Sequence, residues 1–310
     1  MQPQIDPKED VPGRSTDLED PAHGLPERGL RRYGGDVAIA ILQLPILALL
    51  ALAIGATSRA ETPTRSLQVV HRFETAEARQ AVAVDARHFY AIDNRAIGKY
   101  DKRTGERVGG YLAPEGRAIQ HLNSGIVLDG RLYCAHSNYP AVPMLSSIEI
   151  FDTKTLEHVG SHSFGMLSGS ATWIDRRDGL WWVGFGNYEG EGGIPGRGTE
   201  WSEIALYDEQ WRRVGGYGFT GEVVERFETR SNSGGAFGPD GLLYATGHNA
   251  AELYALRIPS AGASLELDAV LPVAAEGQGI AWDPSDPRVL YTMVRSTREV
   301  VVSRLADRSD

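Results

Sequence analysis

Three histidines and one arginine are the residues of this chain best suited to do chemistry. His121 opens a strand-like segment, His136 and His248 end two others, and Arg295 ends a fourth. A neutral imidazole can act as a general base, and a guanidinium can hold a carboxylate through paired hydrogen bonds. The four residues are therefore candidate catalytic residues for a carboxylate-bearing substrate.

Amide and carboxyl side chains occupy the same kind of position, at the beginning or end of a short apolar run. They could bind the hydroxyl groups of a small polar ligand. The candidate ligand-binding residues are Gln80, Asp93, Asn123, Asn187, Asn232 and Gln278. Asparagine also ends strands because it tolerates and caps turns, so a structural role for Asn187 stays open.

The same side chains leave the cofactor undecided. The three histidines with Gln278 could hold a transition metal, whereas the oxygens of Asp93, Asn123, Asn187 and Asn232 could ligate Ca²⁺. The spacing of these residues matches no local metal motif. The sequence also lacks the motifs of a nucleophile elbow, a phosphate-binding loop and a dinucleotide-binding turn, so a serine nucleophile has no support.

A four-part pattern that recurs five times must position these residues. Its first part is an apolar run that mostly ends in Asp, and its second part has an aromatic residue within its first three positions. The first parts lie at 80–85, 124–129, 170–175, 233–240 and 278–283, and the second parts at 88–94, 131–138, 180–187, 242–249 and 289–296. Two plainer strands follow in each copy, except that the fifth copy lacks its last strand.

The segment 67–74, just before the first copy, can supply that missing strand. The pattern therefore predicts an all-β fold, a five-bladed β-propeller of four-stranded antiparallel blades closed by an N-terminal strand. A six-bladed alternative would need a blade within 221–231, which is too short for four strands. A β-sandwich is the other alternative.

Propeller topology brings the starts of first strands and the ends of second strands to one face. The candidate residues fall there, beside the long loops 139–146 and 188–201, and loops on a rigid scaffold commonly carry function. At the opposite turns, between the first and second strands, we interpret four aspartates as turn residues. These are Asp85, Asp129, Asp175 and Asp283.

The chain before the propeller domain (61–310) divides into two parts. Residues 1–30 form an acidic tail that we expect to be disordered, or not to be translated at all if synthesis starts near Leu30. Residues 31–60 hold Arg31 and Arg32, then an apolar stretch at 36–56. This order predicts either a signal peptide cleaved after Ala60 or a membrane anchor. Both place the propeller outside the cytoplasm, in the periplasm, outside the cell or anchored at the membrane.

The net charge of −10 argues against nucleic acid as a partner. We expect a monomer that binds a small molecule and meets the membrane only through 36–56 if that stretch is uncleaved.

The segments "LYATGHN" with "ELYAL" (243–256) and "IEIFDTKTLEHVG" (148–160) resemble the repeats of bacterial secreted β-propellers of the lactonase-like and gluconolactonase-like superfamily. The resemblance covers roughly 66–308 and implies a lactonase or cycloisomerase, that is, a hydrolase or an isomerase. Whether the protein is an enzyme stays open. The first hypothesis is an exported enzyme or binder of a small polar or anionic, sugar- or lactone-like molecule. The alternative is a protein-interaction scaffold at the cell envelope that uses loop 188–201.

Overall fold

The computed structural model describes residues 65–166 and 168–306. The predicted acidic tail and the predicted signal peptide or anchor lie outside these residues. Within the described ranges, no helix is both long enough and apolar enough to cross a membrane.

Twenty strands of the described chain form five four-stranded antiparallel sheets, which confirms the predicted five-bladed propeller. Blades one to four each take four consecutive strands, and blade five takes β18, β19, β20 and β1. The strands are β1 (Leu67–Glu74), β2 (Ala81–Val84), β3 (His88–Ile92), β4 (Ala96–Asp101), β5 (Arg107–Leu112), β6 (His121–Leu128), β7 (Arg131–Ser137), β8 (Ser146–Asp152), β9 (His158–Gly165), β10 (Ser170–Arg177), β11 (Leu180–Gly186), β12 (Glu203–Tyr207), β13 (Arg213–Gly218), β14 (Gly234–Phe237), β15 (Leu243–Thr246), β16 (Glu252–Arg257), β17 (Glu266–Pro272), β18 (Ala281–Asp283), β19 (Asp286–Val294) and β20 (Glu299–Leu305).

The ring closes as the sequence predicted, because β1 pairs antiparallel with β20 at the outer edge of blade five. Leu67 lies opposite Leu305, and Glu74 lies opposite Glu299. The backbone N–H of Ala306 also donates to the carbonyl of Ser66 at 2.9 Å. The first and last strands of the domain therefore share one sheet.

Tyrosines near the heads of two second strands stabilise the turns before them by hydrogen bonds from their hydroxyl groups. The Tyr90 hydroxyl donates to Asp85, which also accepts from the backbone N–H groups of Arg87 and His88. Asp85 is thus a turn residue, as expected. Asp175 is not, because β10 runs on to Arg177.

A short helix, α1 (Gly221–Phe227), occupies the segment that a sixth blade would have needed. Thr220 caps its N-terminus by accepting from the backbone N–H of Val223, and Val223 and Phe227 are buried. A single 3₁₀ turn (Thr199–Trp201) lies in the long loop after β11.

The inner strands approach one another closely at the middle of the axis. A methyl group placed on Gly279 would lie 2.4 Å from the Ala81 Cβ and 2.7 Å from the Ser124 Oγ. One placed on Gly234 would lie 3.0 Å from the Gly279 Cα. These contacts leave little room for a side chain at either glycine, and we call the four closely approaching residues Ala81, Ser124, Gly234 and Gly279 the floor.

Candidate functional site

A cavity of about 330 Å³ lies above the floor, on the face where first strands begin and second strands end. We call it the axial cavity. Its walls come from all five blades and from the two long loops. The lining residues are Arg79, Gln80, Asn94, Gln120, His121, Asn123, Tyr139, Pro140, Thr172, Tyr188, Glu191, Arg230, Ser233, His248, Gln278 and Arg295.

Six of the ten predicted site residues line this cavity, although they are far apart in sequence. They are Gln80, His121, Asn123, His248, Gln278 and Arg295. Two of the inner strands carry a bulge here, between Leu122 and Gly125 in β6 and between Ala171 and Trp173 in β10. Bulges re-aim side chains, and these two lie where Asn123 and Thr172 reach the cavity.

His121 is a neutral imidazole at physiological pH. Burial lowers its pKa to about 4, and the nearby His136, Arg295 and His248 act in the same direction. Its ring packs against Tyr139 at a centroid distance of 5.0 Å. Among the described residues, no group forms a hydrogen bond with either ring nitrogen. His121 can therefore accept a proton or a hydrogen bond from a bound molecule.

His248 and Arg295 form one unit of the wall. The His248 Nδ1 lies 2.6 Å from Asn249 Oδ1, and its Nε2 lies 3.3 Å from Nη2 of Arg295. A guanidinium can only donate, so Nε2 is the acceptor and Nδ1 carries the proton. Burial, and then Arg295, keep the pKa of His248 below its ordinary value. Burial also lowers the pKa of Arg295, Arg79 and Arg230 act in the same direction by repulsion, and Glu276 opposes them.

Arg230 brings a second half-buried guanidinium to the cavity. Its Nη1 donates to the Tyr139 hydroxyl at 2.7 Å. In the described chain, no carboxylate oxygen lies within 4.0 Å of Arg230 or of Arg295. The next residue, Ser231, has a φ of 79°, a left-handed conformation that costs a non-glycine residue energy.

Three amide side chains of the cavity already donate hydrogen bonds to other groups of the protein. Gln80 Nε2 donates to Asn94 Oδ1 at 2.7 Å, and Gln278 Nε2 donates to the His248 carbonyl at 3.0 Å. Gln278 also has a left-handed φ, of 72°. Asn123 donates to the Ala171 carbonyl at 2.9 Å and so joins blade two to blade three.

His136 does not line the cavity. Its Nε2 accepts from the backbone N–H of Gln120, and its Nδ1 lies 2.8 Å from the Ser147 hydroxyl. It shares one face of β7 with Leu132 and Cys134, which belong to the core between blades one and two. His136 therefore has a structural role, because its bond to Gln120 holds the backbone just before His121.

The other three predicted residues lie outside the cavity wall and satisfy the backbone or neighbouring side chains. Asn187 donates to the carbonyls of Ser168 and Trp201. Asn232 is buried, donates to the Gly234 carbonyl and accepts from the Trp173 indole. Each of these bonds satisfies a polar group that the fold would otherwise leave unpaired.

Asp93 lies at the rim of the cavity rather than within it. Its carboxylate holds Arg298 at 3.1 Å and lies 4.0 Å from Arg79. It therefore joins the end of blade five to the start of blade one.

Neither proposed metal site forms. The three histidines do not converge because His136 faces Ser147. Of the proposed calcium ligands, the Asn232 Oδ1 already accepts from the Trp173 indole and Asp93 pairs with Arg298. Across residues 65–166 and 168–306, no group of three or more His, Cys, Asp or Glu side chains is placed to hold a metal ion.

A side groove of about 480 Å³ adjoins the axial cavity and shares Arg79, His248 and Arg295 with it. Its other lining residues are Asn249, Glu276, Ser296 and Arg298. The Glu276 carboxylate accepts from the Ser296 hydroxyl at 2.6 Å and from its backbone N–H, which lowers its pKa.

Sequence reasoning did not single out Arg230, Tyr139 or Tyr188 as site residues. Tyr139 and Tyr188 each lie two residues after a second strand, and Arg230 lies four residues before the first strand of blade four. Extending the strand-end rule by up to four residues would have found all three.

No family model matches the chain, and no curated protein matches it. Solved structures are similar in fold. The PQQ-bound aldose sugar dehydrogenase of Streptomyces coelicolor is 12% identical with a TM-score of 0.50, over 79% of this chain and 99% of that one. A luciferin-regenerating enzyme is 10% identical with a TM-score of 0.47, over 79% and 96%. A Bacteroides caccae protein of unknown function is 14% identical with a TM-score of 0.39, over 62% of this chain and 60% of its own length. At 12% identity, the similarity to the aldose sugar dehydrogenase extends to the fold and says nothing about activity.

Proposed function

We propose that the axial cavity binds a small organic anion, a sugar acid or a lactone-derived carboxylate. The observation that carries the proposal is the pair of half-buried guanidinium groups, Arg230 and Arg295, which have no carboxylate within 4.0 Å in the described chain. Holding unpaired charge away from water costs free energy. A bound carboxylate would offset that cost through charge-assisted hydrogen bonds.

The rest of the lining suits a hydroxylated molecule. Amide and hydroxyl groups of Asn94, Asn123, Thr172 and Ser233 surround the same space. Such groups both donate and accept, as sugar hydroxyls require. The volume of about 330 Å³ lies at the small end of ligand pockets.

His121 adds a possible reaction to this binding site. As a neutral base beside the guanidinium groups, it can activate water toward a lactone carbonyl or remove a proton next to a carboxylate. In both reactions Arg295 or Arg230 would stabilise the negative oxygen that develops. These reactions are of the lactonase and cycloisomerase kind, in line with the resemblance of the repeats.

Binding is tested by calorimetric titration of the full chain with gluconate at low ionic strength. Arg295→Gln and Arg230→Gln should each weaken the affinity about 10-fold to 100-fold, because a hydrogen bond to a charged group contributes about 1.5–3 kcal/mol. Arg212→Gln is the matched control, since Arg212 is exposed, pairs with Asp208 and does not line the axial cavity. Undetectable gluconate binding, or an equal loss in the control, would refute the proposal.

Catalysis is tested separately with a slowly hydrolysing aldonolactone, by following proton release. His121→Gln should lower the rate at least about 100-fold, the usual contribution of a general base, while the gluconate affinity changes little. Gluconate binding without lactone turnover would identify a binding protein instead of an enzyme.

We also propose that the propeller is exported, with the arginine pair and the apolar stretch at 36–56 in support. Cell fractionation and N-terminal sequencing of the purified protein test this. A new N-terminus at residue 61 indicates a cleaved signal peptide, and membrane fractionation with an intact N-terminus indicates an anchor. A cytoplasmic product would refute export.

One observation favours the scaffold as a second candidate. Trp201 in the long loop is 53% exposed, and the guanidinium of Arg197 lies 5.2 Å from its ring. Tryptophan and arginine are the residue types most enriched at interface hot spots. Trp201→Ala should then abolish capture of a partner by the full chain while gluconate affinity stays the same.

A further inference from the structure

A second, smaller cavity lies below the floor, at the opposite end of the axis. We call it the lower well. Its volume is about 90 Å³, and each of the five inner strands contributes to its wall. The lining residues are Val84, Gly125, Ile126, Val127, Ile174, Asp175, Gly235, Ala236, Phe237, Ile280, Ala281 and Trp282.

Asp175 is the one charged residue of this otherwise apolar wall. It is 9% exposed. One carboxylate oxygen accepts from the backbone N–H of Arg176 and the other from that of Phe237, each at 2.7 Å. A carboxylate has about four acceptor positions, so about two remain unused after it has joined blade three to blade four.

No side chain of the described residues neutralises Asp175 by a close ion pair. The charge of Arg177 does lower the pKa of Asp175. Its guanidinium, however, donates to the Gly241 carbonyl at 2.5 Å and lies 4.5 Å from the Phe237 ring. Arg176 pairs with Glu209 at 3.1 Å. Burial raises the pKa of Asp175 to about 6, because a buried carboxylate without a cation beside it is less stable in its charged form.

The remaining lining defines what could supply that cation. Phe237 and Trp282 are the aromatic residues of the well, and aromatic rings attract cations through their faces. Since the Phe237 ring already lies against Arg177, Trp282 is the one of the two that could attract a bound cation. The other lining residues are aliphatic or glycine and would contact a hydrocarbon chain. A dry engineered cavity of about 150 Å³ holds benzene, so the lower well, which is smaller, suits only a short alkyl chain.

We propose that the lower well binds a short-chain primary alkylammonium ion, with its charge on Asp175 and its chain against the aliphatic wall. This site is distinct from the axial cavity, because the two cavities share no lining residue.

The test compares n-butylammonium with 1-butanol, which has the same shape and no charge, by calorimetry on the full chain at pH 7. Butylammonium should bind at least about tenfold more tightly than butanol. Asp175→Asn should remove that preference. Equal affinities in the wild type, or a preference that survives in Asp175→Asn, would overturn the proposal.

Two further measurements decide the matter if Asp175→Asn fails to fold. Ile126→Phe should fill the well and abolish butylammonium binding while gluconate affinity stays unchanged. In the wild type, carboxyl-carbon NMR should show that butylammonium moves the titration midpoint of Asp175 to lower pH and that butanol does not. Retained binding in Ile126→Phe, or an unmoved midpoint, would refute the site.

Discussion

The upper and lower ends of the propeller axis are formed by the same five inner strands, yet one carries arginine, histidine and amide groups and the other aliphatic groups around one carboxyl. At the upper end, the connections between strands are long and bring in Tyr139, Tyr188 and Arg230. At the lower end, the turns are tight and the strands themselves form the wall. The repeat therefore builds the scaffold, and the chemistry at each end depends on how far the loops between strands extend over the axis.

The largest expected effect comes from breaking the floor between the two ends. Gly279→Val should lower the free energy of unfolding by about 3 kcal/mol, because its side chain would overlap Ala81 and Ser124. Urea unfolding measures this. Gly221→Ala is the control, since nothing lies within 4 Å of a methyl group there, and it should change stability by less than about 0.5 kcal/mol. A fully stable Gly279→Val protein would show that the floor is open.

The pH dependence of stability should differ in sign between the ends. At the upper end, the folded pKa of His121 is about 4 and lies below its unfolded value of 6.5. The unfolded chain therefore binds more protons between these values, and stability is lost as pH falls from 6.5 to 4. His121→Gln should remove a loss on the order of 3 kcal/mol from that window, as measured by urea unfolding at several pH values. An unchanged profile would contradict the burial of His121.

At the lower end, the folded pKa of Asp175 is about 6 and lies above its unfolded value of 3.8. The folded protein therefore binds more protons between these values, and stability is lost as pH rises from 3.8 to 6. Asp175→Asn should flatten that decrease in stability, which is on the order of 3 kcal/mol, in the same series of unfolding curves. If both substitutions tilt the profile in one direction, the contrast between the ends is wrong.

The smallest effect tests the upper end alone. Tyr139→Phe removes the hydroxyl that accepts from Arg230 at 2.7 Å and keeps the ring that packs against His121. Gluconate affinity should fall about threefold to tenfold, the usual value of one such bond, and butylammonium affinity should not change. Calorimetry with both probes distinguishes this result from general destabilisation, which would weaken both.

The fold could be predicted from the sequence because every blade repeats its strands in one order and because 67–74 matches the strand that the fifth copy lacks. The site could be predicted in part. Topology brings His121, His248, Gln278 and Arg295 to one cavity whatever the loops do. The direction of His136 could have been found from the alternation along β7, in which it shares a face with the buried Leu132 and Cys134.

Other features depend on conformations that no repeat specifies. Arg230 reaches the cavity through the irregular segment after α1, where Glu228 and Ser231 have left-handed backbones. Asp175 was predicted as a turn residue, but the turn lies at Asp178 and Gly179, which have positive φ values of 51° and 75°. The two extra residues of strand on each side carry Asp175 away from the turn and into the wall of the lower well.

The pairing of β1 with β20 has one more consequence. Since Ser66 and Ala306 are hydrogen-bonded neighbours, the positions at which the described domain starts and finishes are adjacent in space. A short linker could join them, and new termini could be cut at an exposed connection between two other blades. Such a circular permutant should keep both ends of the axis intact, because a closed ring of blades has no blade that must come first.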